Sequence, residues 1–233
     1  MKKYIKCIVI VVLLLTTFLI INKDNIFNTK PNYDPEIKNI INNEEDVTTT
    51  LKEKYKNNDI VGTISIPNTD INEVLVQTTN NKYYLTHDIY KNNDQYGSVF
   101  LDYRCNENSK KLLIFGHNDY KDKTPFSELE NYYNKEYFDN HQYIDIIINN
   151  NKKQYQIFSV YIETSDFTYM NLKINSSEYE SDLLKYKKNS FYKTNTKVSK
   201  DDKILILQTC SNHQKYKKYK DKYLLIIAKQ KSS

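Results

Sequence analysis

Residues 204–210, Ile-Leu-Ile-Leu-Gln-Thr-Cys, form an apolar run that ends on a cysteine. Such a run is typical of a buried β-strand, here with Cys210 at its carboxyl end. Residues 111–117, Lys-Leu-Leu-Ile-Phe-Gly-His, follow the same plan and end on His117. A side chain just beyond a strand is held by a rigid scaffold and stays open to a ligand. If the two strands are neighbours, Cys210 and His117 meet at one end of a sheet as a thiol nucleophile and an imidazole acid/base.

The rest of the chain predicts more strands and a few helices. Helical spacing occurs over Glu36–Lys56, Phe126–His141 and Ser176–Lys188, and the last opens with a capping sequence at Asn175. Eight short strands with few helices predict a mainly β fold. We expect an eight-stranded closed barrel, with an N-terminal helix and a helical insert before the last two strands. The predicted strands are Ile60–Ile66, Ile71–Gln77, Ser98–Tyr103, Lys111–Phe115, Tyr143–Asn149, Tyr155–Ile162, Lys203–Thr209 and Tyr223–Lys229.

The composition is that of one folded domain rather than a disordered or repetitive chain. The 233 residues are 39% hydrophobic and 27% charged, and glycine and proline are scarce. The three glycines are too far apart to form a phosphate-binding loop. The formal net charge is +5, and because Lys2, Lys3 and Lys6 supply three of these charges, the remainder carries only +2. That excess is too small to indicate a nucleic-acid partner.

The N-terminus is typical of a membrane anchor. Residues 7–21 are apolar apart from two threonines, three lysines precede them, and Asn-Lys-Asp follows. The basic flank places the N-terminus in the cytoplasm and the remainder outside the cell membrane. A cleaved signal peptide is the alternative, but no small-residue cleavage site follows the apolar run. The sequence therefore predicts a cytoplasmic flank and anchor over 1–25, a short stalk over 26–34 and an exported domain over 35–233.

Other chemistries find less support in the sequence. No CxxC, HxxxH or HExxH spacing indicates a metal site and no GxSxG indicates a serine nucleophile, so we expect neither metal nor cofactor. Cys7 lies in the predicted anchor, which leaves Cys105 and Cys210 in the exported domain. His213, three residues after Cys210, competes with His117 for the role of base. From spacing alone, two strand-end residues without a joint role remain an alternative.

Four segments together resemble the class B sortases, a family of cysteine transpeptidases of the cell wall. Residues 207–210, Leu-Gln-Thr-Cys, are similar to the end of the TLxTC motif, and residues 114–118, Ile-Phe-Gly-His-Asn, to the segment that carries the family histidine. Residues 97–104 resemble the stretch G-x-x-F-x-D-[FY]-R, and residues 124–129 the T-x-F-x-x-L that opens a helix. The resemblance covers about residues 35 to 230 and implies a sortase-type barrel.

The resemblance also implies a reaction and its partners. Cys210 would attack the carbonyl of a C-terminal sorting signal in a secreted protein and form a thioester, with His117 as acid and base. An amine of a peptidoglycan cross-bridge or stem peptide would then accept the acyl group. The protein would be a Gram-positive membrane enzyme whose catalytic domain is extracellular. The implied substrate-contacting residues are Asn81, Leu85, Ser165, Met170, Gln208 and Thr209, and ordinary core packing is the alternative for Leu85 and Met170.

The chain departs from the family pattern at two positions. Ile206 stands where the TLxTC motif has its first threonine. The family also has an arginine at the start of the last strand, where it holds the substrate carbonyl and the developing oxyanion, and this chain has none there. Aligning residues 223–229 on their apolar pattern puts Tyr223 at that position and Lys222 one step earlier. Tyr223 offers one neutral hydrogen bond, whereas Lys222 offers charge without the planar fork of arginine.

Two other functions remain open at this point. A cell-wall cysteine endopeptidase or amidase would use the same Cys–His pair, with water in place of the amine. A catalytically impaired sortase-like barrel would serve as a binding module on the cell surface. Faster reaction of a thiol reagent with Cys210 than with Cys105 would favour an enzyme, because an activated thiolate reacts faster.

Overall fold

The computed structural model describes most of the chain beyond residue 35. The described residues are 36–43, 46–119, 121–122, 124–173 and 175–231. The anchor predicted over 7–21 and the stalk predicted over 26–34 lie outside them. None of the helices in the described ranges combines the length and the hydrophobicity that a membrane span requires.

Eight strands close into a barrel, which confirms the predicted fold class. The strands are β1 (Ile60–Ser65), β2 (Asn72–Val76), β3 (Phe100–Leu101), β4 (Lys111–Phe115), β5 (Tyr143–Ile148), β6 (Asn151–Glu163), β7 (Ile204–Cys210) and β8 (Tyr223–Gln230). Around the barrel they follow the order β1-β2-β3-β4-β7-β8-β6-β5. The pairs β2–β3 and β4–β7 are parallel, and the other pairs are antiparallel.

Four α-helices accompany the barrel in the described part of the chain. They are α1 (Glu36–Asn43), α2 (Val47–Tyr55), α3 (Lys135–Asn140) and α4 (Ser176–Asn189). The predicted insert is α4, which lies between β6 and β7. Its capping box is complete, because the Asn175 side chain accepts from the Glu178 N–H and the Glu178 carboxylate accepts from the Asn175 N–H, both at 2.9 Å.

Two predicted helices are divided in the structure by side chains that cap a new helix. The single N-terminal helix expected over Glu36–Lys56 is wrong, because the Asp46 carboxylate caps α2 and starts it separately from α1. The helix expected over Phe126–His141 is also wrong. It consists of a 3-10 turn over Ser127–Tyr133 followed by α3, because Asn134 is extended and caps α3 with its side chain. Apolar residues spaced three apart suit a 3-10 turn as well as an α-helix.

The strand predicted over Ser98–Tyr103 shortens to the two residues of β3. Its first part leaves the sheet because the Ser98 N–H donates to the Tyr84 carbonyl at 3.0 Å. Its last part turns because the Cys105 N–H donates to the Asp102 carbonyl at 2.9 Å. The first of these contacts brings the segment around Tyr84 beside β3, and Asp102 donates its N–H to the Leu113 carbonyl of β4 at 2.9 Å.

Alternate residues of the strands pack on opposite faces of the sheet. Ile114 of β4 and Leu207 of β7 belong to a buried cluster that includes residues from the segment 126–138. Leu113 of β4 and Ile206 of β7 belong to a second cluster, which includes residues of α1, α2 and α4. Cys210 has the same parity along β7 as Ile206, so its side chain lies on the helix-covered face.

Candidate active site

The ends of β4 and β7 bring His117 and Cys210 to one edge of the sheet. The strands are parallel and Phe115 is in register with Gln208, so the histidine and the cysteine each follow two positions later. The ladder continues to this edge, because the Gly116 N–H donates to the Gln208 carbonyl at 3.2 Å. The thiol and the imidazole are therefore carried by adjacent segments of one rigid sheet.

A pocket of about 330 Å³ opens at this edge, and both residues line it. Of the other residues predicted for the site, the structure brings into its lining Asn81, Leu85, Met170, Gln208, Thr209 and Tyr223. Ser165 and Lys222 lie outside the lining. Ser165 is exposed, and its N–H donates to the Glu163 carboxylate at 3.1 Å. Across the described residues, no three His, Cys, Asp or Glu side chains are grouped as a metal site requires.

The two cysteines in the described part of the chain have different surroundings. Cys105 is buried, and its Sγ lies 3.4 Å from the Lys111 carbonyl. Burial raises the pKa of Cys105 to about 11. Cys210 is exposed at the pocket mouth, where partial desolvation raises the pKa of its thiol and the charge of Lys222 opposes that rise. Cys210 is therefore the thiol that a ligand reaches.

His117 is exposed to solvent, while its backbone is held from behind. Its carbonyl accepts from the Phe126 N–H at 3.2 Å and from Thr124 Oγ1 at 3.0 Å. The preceding Gly116 has no room for a side chain, because a Cβ there would lie 2.5 Å from the Phe126 ring. The ring of Tyr96 lies 5.7 Å from the imidazole, centroid to centroid. These contacts fix the backbone of His117, while its exposed side chain lines the pocket.

Tyr223 is the residue across the sheet from the cysteine. Cys210 and Tyr223 are directly opposite in the antiparallel pair of β7 and β8, so their side chains share one face. The Tyr223 ring packs edge-on against Phe167 at 5.7 Å, and partial burial raises the pKa of its hydroxyl. The hydroxyl therefore stays protonated at neutral pH and can donate a hydrogen bond into the pocket.

Arg104, the one arginine of the chain, is engaged elsewhere. Its Nε donates to Asp102 Oδ1 at 2.8 Å, and its Nη2 donates to Asp102 Oδ2 at 2.7 Å and to the Met170 carbonyl at 3.1 Å. Burial alone would raise the pKa of Asp102, but the hydrogen bonds from Arg104 and Asn81 hold that pKa below its usual range. Arg104 thus fixes the loop at Asp102 and the wall at Met170.

The pocket wall that contains Met170 is a 3-10 turn over residues 167–170. The Tyr169 hydroxyl donates to Gln208 Oε1 at 2.7 Å, which ties the turn to β7. Lys111 of β4 is 3% exposed, and its Nζ donates to the Tyr169 carbonyl at 3.4 Å and to Asp182 Oδ2 of α4 at 3.2 Å. A buried cation therefore connects the barrel, the wall and the helical insert.

Three residues beside the pair were not predicted from the sequence, namely Tyr96, Asn118 and Glu130. Tyr96 lines the pocket, and its hydroxyl donates to the Asp122 carboxylate, which raises the pKa of that hydroxyl to about 12. Asn118 donates from Nδ2 to the Cys210 carbonyl at 2.7 Å and to Glu130 Oε1 at 3.0 Å. The place of Asn118 directly after the histidine was a usable signal. Tyr96 and Glu130 lie in segments that connect strands, and no sequence pattern indicated either residue.

Comparison with known proteins identifies the family. Residues 64–230 match the family model "Sortase domain". Sortase B of Listeria monocytogenes is 35% identical over 166 residues, which are 70% of this chain and 67% of that relative. The Clostridium perfringens sortase B structure has a TM-score of 0.70 at 26% identity and is covered to 99%, with 79% of this chain. The Staphylococcus aureus sortase B–substrate complex has a TM-score of 0.73 at 25% identity, covering 84% of this chain and 92% of that one.

The chain belongs to the sortase family and is an enzyme of the sortase type, a cysteine transpeptidase. Within the family it groups with class B, because the Listeria, Clostridium and Staphylococcus proteins that it resembles are sortase B proteins. The class B resemblance of its sequence motifs is confirmed.

Proposed function

We propose that this chain is a membrane-anchored transpeptidase, which cleaves the sorting signal of a secreted protein through a Cys210 thioester and joins the protein to a cell-wall peptide amine. The observation that carries the proposal is that Cys210 and His117 end two paired parallel strands at the mouth of one pocket. The Staphylococcus aureus relative was solved as a substrate complex, which supports a peptide as the ligand.

The reaction proceeds in two steps on these side chains. In the first, the Cys210 thiolate attacks the scissile carbonyl carbon, a C–S bond forms, the C–N bond breaks, and protonated His117 gives its proton to the leaving amine. In the second, neutral His117 takes a proton from the incoming amine, whose nitrogen attacks the thioester carbonyl. A new C–N bond forms as the C–S bond breaks, and both the thiolate and the imidazolium are restored.

The peptide lies, in this proposal, across the pocket between the loop at Asn81 and the wall at Met170. Leu85 is 54% exposed at the pocket edge, so it offers an apolar contact rather than packing in the core. The amide of Asn81 already bonds Asp102 Oδ2 and the Tyr103 N–H, which leaves one of its N–H donors for a ligand. Gln208 and Thr209 form the part of the lining next to the nucleophile.

Tyr223 takes over the task of the missing arginine, because it faces the pocket on the side of Cys210. Tyr223→Phe is expected to lower the acylation rate about 10²-fold with little change in KM, as for loss of one oxyanion donor. The ring contact with Phe167 survives in this variant. Pre-steady-state thioester formation measures the loss, and Tyr219→Phe, in the exposed loop outside the pocket lining, is the control. Wild-type acylation by Tyr223→Phe would refute the assignment.

Lys222 acts on the nucleophile through its charge. The charge lowers the pKa of Cys210, so Lys222→Ala is expected to raise that pKa further and to move the alkylation profile of Cys210 to higher pH. The rate of iodoacetamide labelling at Cys210, followed by mass spectrometry across pH 6 to 10, tests this (roughly the range around an ordinary thiol pKa). Lys218→Ala, in the same loop, is the control, and an unchanged profile in Lys222→Ala would contradict the assignment.

We also propose that residues 7–21 anchor the enzyme in the cell membrane with the catalytic domain, residues 35–233, outside. The apolar run, the three preceding lysines and the absence of a small-residue cleavage site support this arrangement. Intact cells treated with a protease should lose the catalytic domain and keep an N-terminal tag. Recovery from the culture medium of a mature protein lacking residues 1–25 would refute the anchor.

One experiment separates transpeptidase, hydrolase and binding module. The full chain in detergent is mixed with a panel of quenched fluorescent peptides that carry sorting signals, with and without triglycine as acceptor. We expect a thioester adduct in the intact mass and an amide product that depends on the amine. A free carboxylate regardless of amine would identify a cysteine endopeptidase or amidase. No adduct, together with iodoacetamide labelling of Cys210 that is unchanged in His117→Ala, would identify a binding module.

A further inference from the structure

Asn118 connects the two ends of the active site through a buried side chain. The residue directly follows His117 and is 6% exposed. Its Nδ2 donates to the Cys210 carbonyl at 2.7 Å and to Glu130 Oε1 at 3.0 Å. Both partners are acceptors, so the amide has one possible orientation, with nitrogen toward them. Its Oδ1 is buried and has no hydrogen-bond partner among the described residues.

Glu130 completes the connection from the 3-10 turn over Ser127–Tyr133. The same Oε1 that accepts from Asn118 also accepts from the Asn212 N–H at 2.7 Å. One carboxylate oxygen therefore binds both Asn118, which follows the histidine, and Asn212, which lies two positions after the cysteine. Charge-assisted hydrogen bonds of this kind are the stronger ones in proteins.

The backbone ladder does not reach as far as this connection. Its last bond between the two strand ends in the described structure joins the Gly116 N–H to the Gln208 carbonyl. Past that point Thr209 Oγ1 donates to the Gly116 carbonyl at 2.8 Å, and Asn118 donates to Cys210. Of these, the Asn118 bond ends on the backbone of Cys210 itself.

We propose that Asn118 and Glu130 are positioning residues, which set the placement of His117 relative to Cys210 by clamping the strand ends that carry them. The proposal rests on the proposed function, in which His117 and Cys210 act together in the transfer of a proton. A displacement of about 1 Å between reacting groups costs roughly 10²-fold in rate. The clamp therefore affects the rate of the chemical step, whereas the pocket walls determine how tightly the peptide binds.

Three variants and a matched control test the clamp in the full chain. Asn118→Ala removes both donated bonds, Glu130→Ala removes both accepted bonds, and Glu130→Gln keeps a carbonyl oxygen as acceptor for both. Asn134→Ala is the control, because Asn134 accepts from the Glu136 and Tyr137 N–H groups and caps α3 outside the pocket. It loses two accepted hydrogen bonds at a place where no catalytic consequence is expected.

We expect Asn118→Ala and Glu130→Ala to lower the thioester formation rate about 10- to 100-fold with KM for the peptide nearly unchanged. Glu130→Gln should stay within about threefold of wild type, since a neutral acceptor weakens but keeps both bonds. Asn134→Ala should lower the melting temperature and leave the rate alone. A wild-type rate in Asn118→Ala, an equal loss in Asn134→Ala, or no rescue by Glu130→Gln would overturn the proposal.

The rate of iodoacetamide labelling at Cys210, measured across a range of pH, tests the clamp without any peptide. The profile of Asn118→Ala should shift from that of wild type toward that of His117→Ala, because the displaced imidazole assists the thiol less. If wild type forms no thioester yet the profiles follow this pattern, the proposed function fails and the clamp stands. If thioester forms and the Asn118→Ala profile equals that of wild type, the clamp fails and the function stands.

Discussion

Cys210→Ala is expected to form no thioester and to lose more than about 10⁴-fold in transpeptidation, as when the nucleophile of other covalent enzymes is removed. The reason is that the acyl group has no other reachable thiol in the described structure, since Cys105 is buried. Intact mass after mixing with the peptide panel measures the adduct, and the fluorescence change measures turnover.

Cys105→Ala is the matched control for this prediction. Cys105 packs in the core cluster with Leu112 and Ile114, where a buried cysteine acts as a small hydrophobic group. The variant should lose about 1 kcal/mol of stability and keep wild-type turnover. The assignment of Cys210 as the nucleophile would be wrong if Cys210→Ala formed a thioester. It would also be wrong if Cys105→Ala formed none at a temperature where that variant is folded.

His117→Ala is expected to lower both acylation and aminolysis by about 10² to 10⁴-fold, the usual contribution of a general acid and base. KM for the peptide should change little, because the pocket walls at Met170 and Leu85 remain. Single-turnover thioester formation and its decay on adding triglycine measure the two steps separately.

His213→Ala distinguishes this assignment from its local competitor. His213 accepts from the Lys215 N–H at 3.3 Å through Nδ1, and its ring packs edge-on against Tyr133 at 4.7 Å. It does not line the pocket. Its replacement should leave both steps within about twofold of wild type, because the half-buried His213 ring does not line the pocket. A loss in His213→Ala as large as that in His117→Ala would transfer the role of base to His213.

The barrel was predictable from local pattern, because its strands bury apolar side chains between polar turns. The strand over Lys111–Phe115 has the predicted bounds, and α4 begins at its predicted cap. Helix breaks were not predictable from spacing. The side chains of Asp46 and Asn134 each accept hydrogen bonds from backbone N–H groups of the helix that follows. Such a bond starts a new helix where a continuous helix would otherwise run on.

From residue spacing alone, without the family resemblance, the candidate site was predictable only where it sits on strands. Cys210 and His117 follow apolar runs, so strand pairing alone brings them together. The wall depends instead on buried contacts between distant segments. Ser165 and Met170 are five positions apart in one connection, yet only Met170 reaches the pocket, because Lys111 and Tyr169 set where the turn lies. No sequence spacing carries that information.

The parallel pairing of β4 with β7 also governs when the enzyme becomes reactive. After His117 the chain must build β5, β6 and α4 before it returns to the same end of the barrel and adds Cys210. Tyr223 arrives later still, on the last strand. Contacts between such distant segments form slowly and late in folding. A chain still emerging from the ribosome therefore carries its histidine without its nucleophile, and acyl transfer must wait until β7 and β8 have been added.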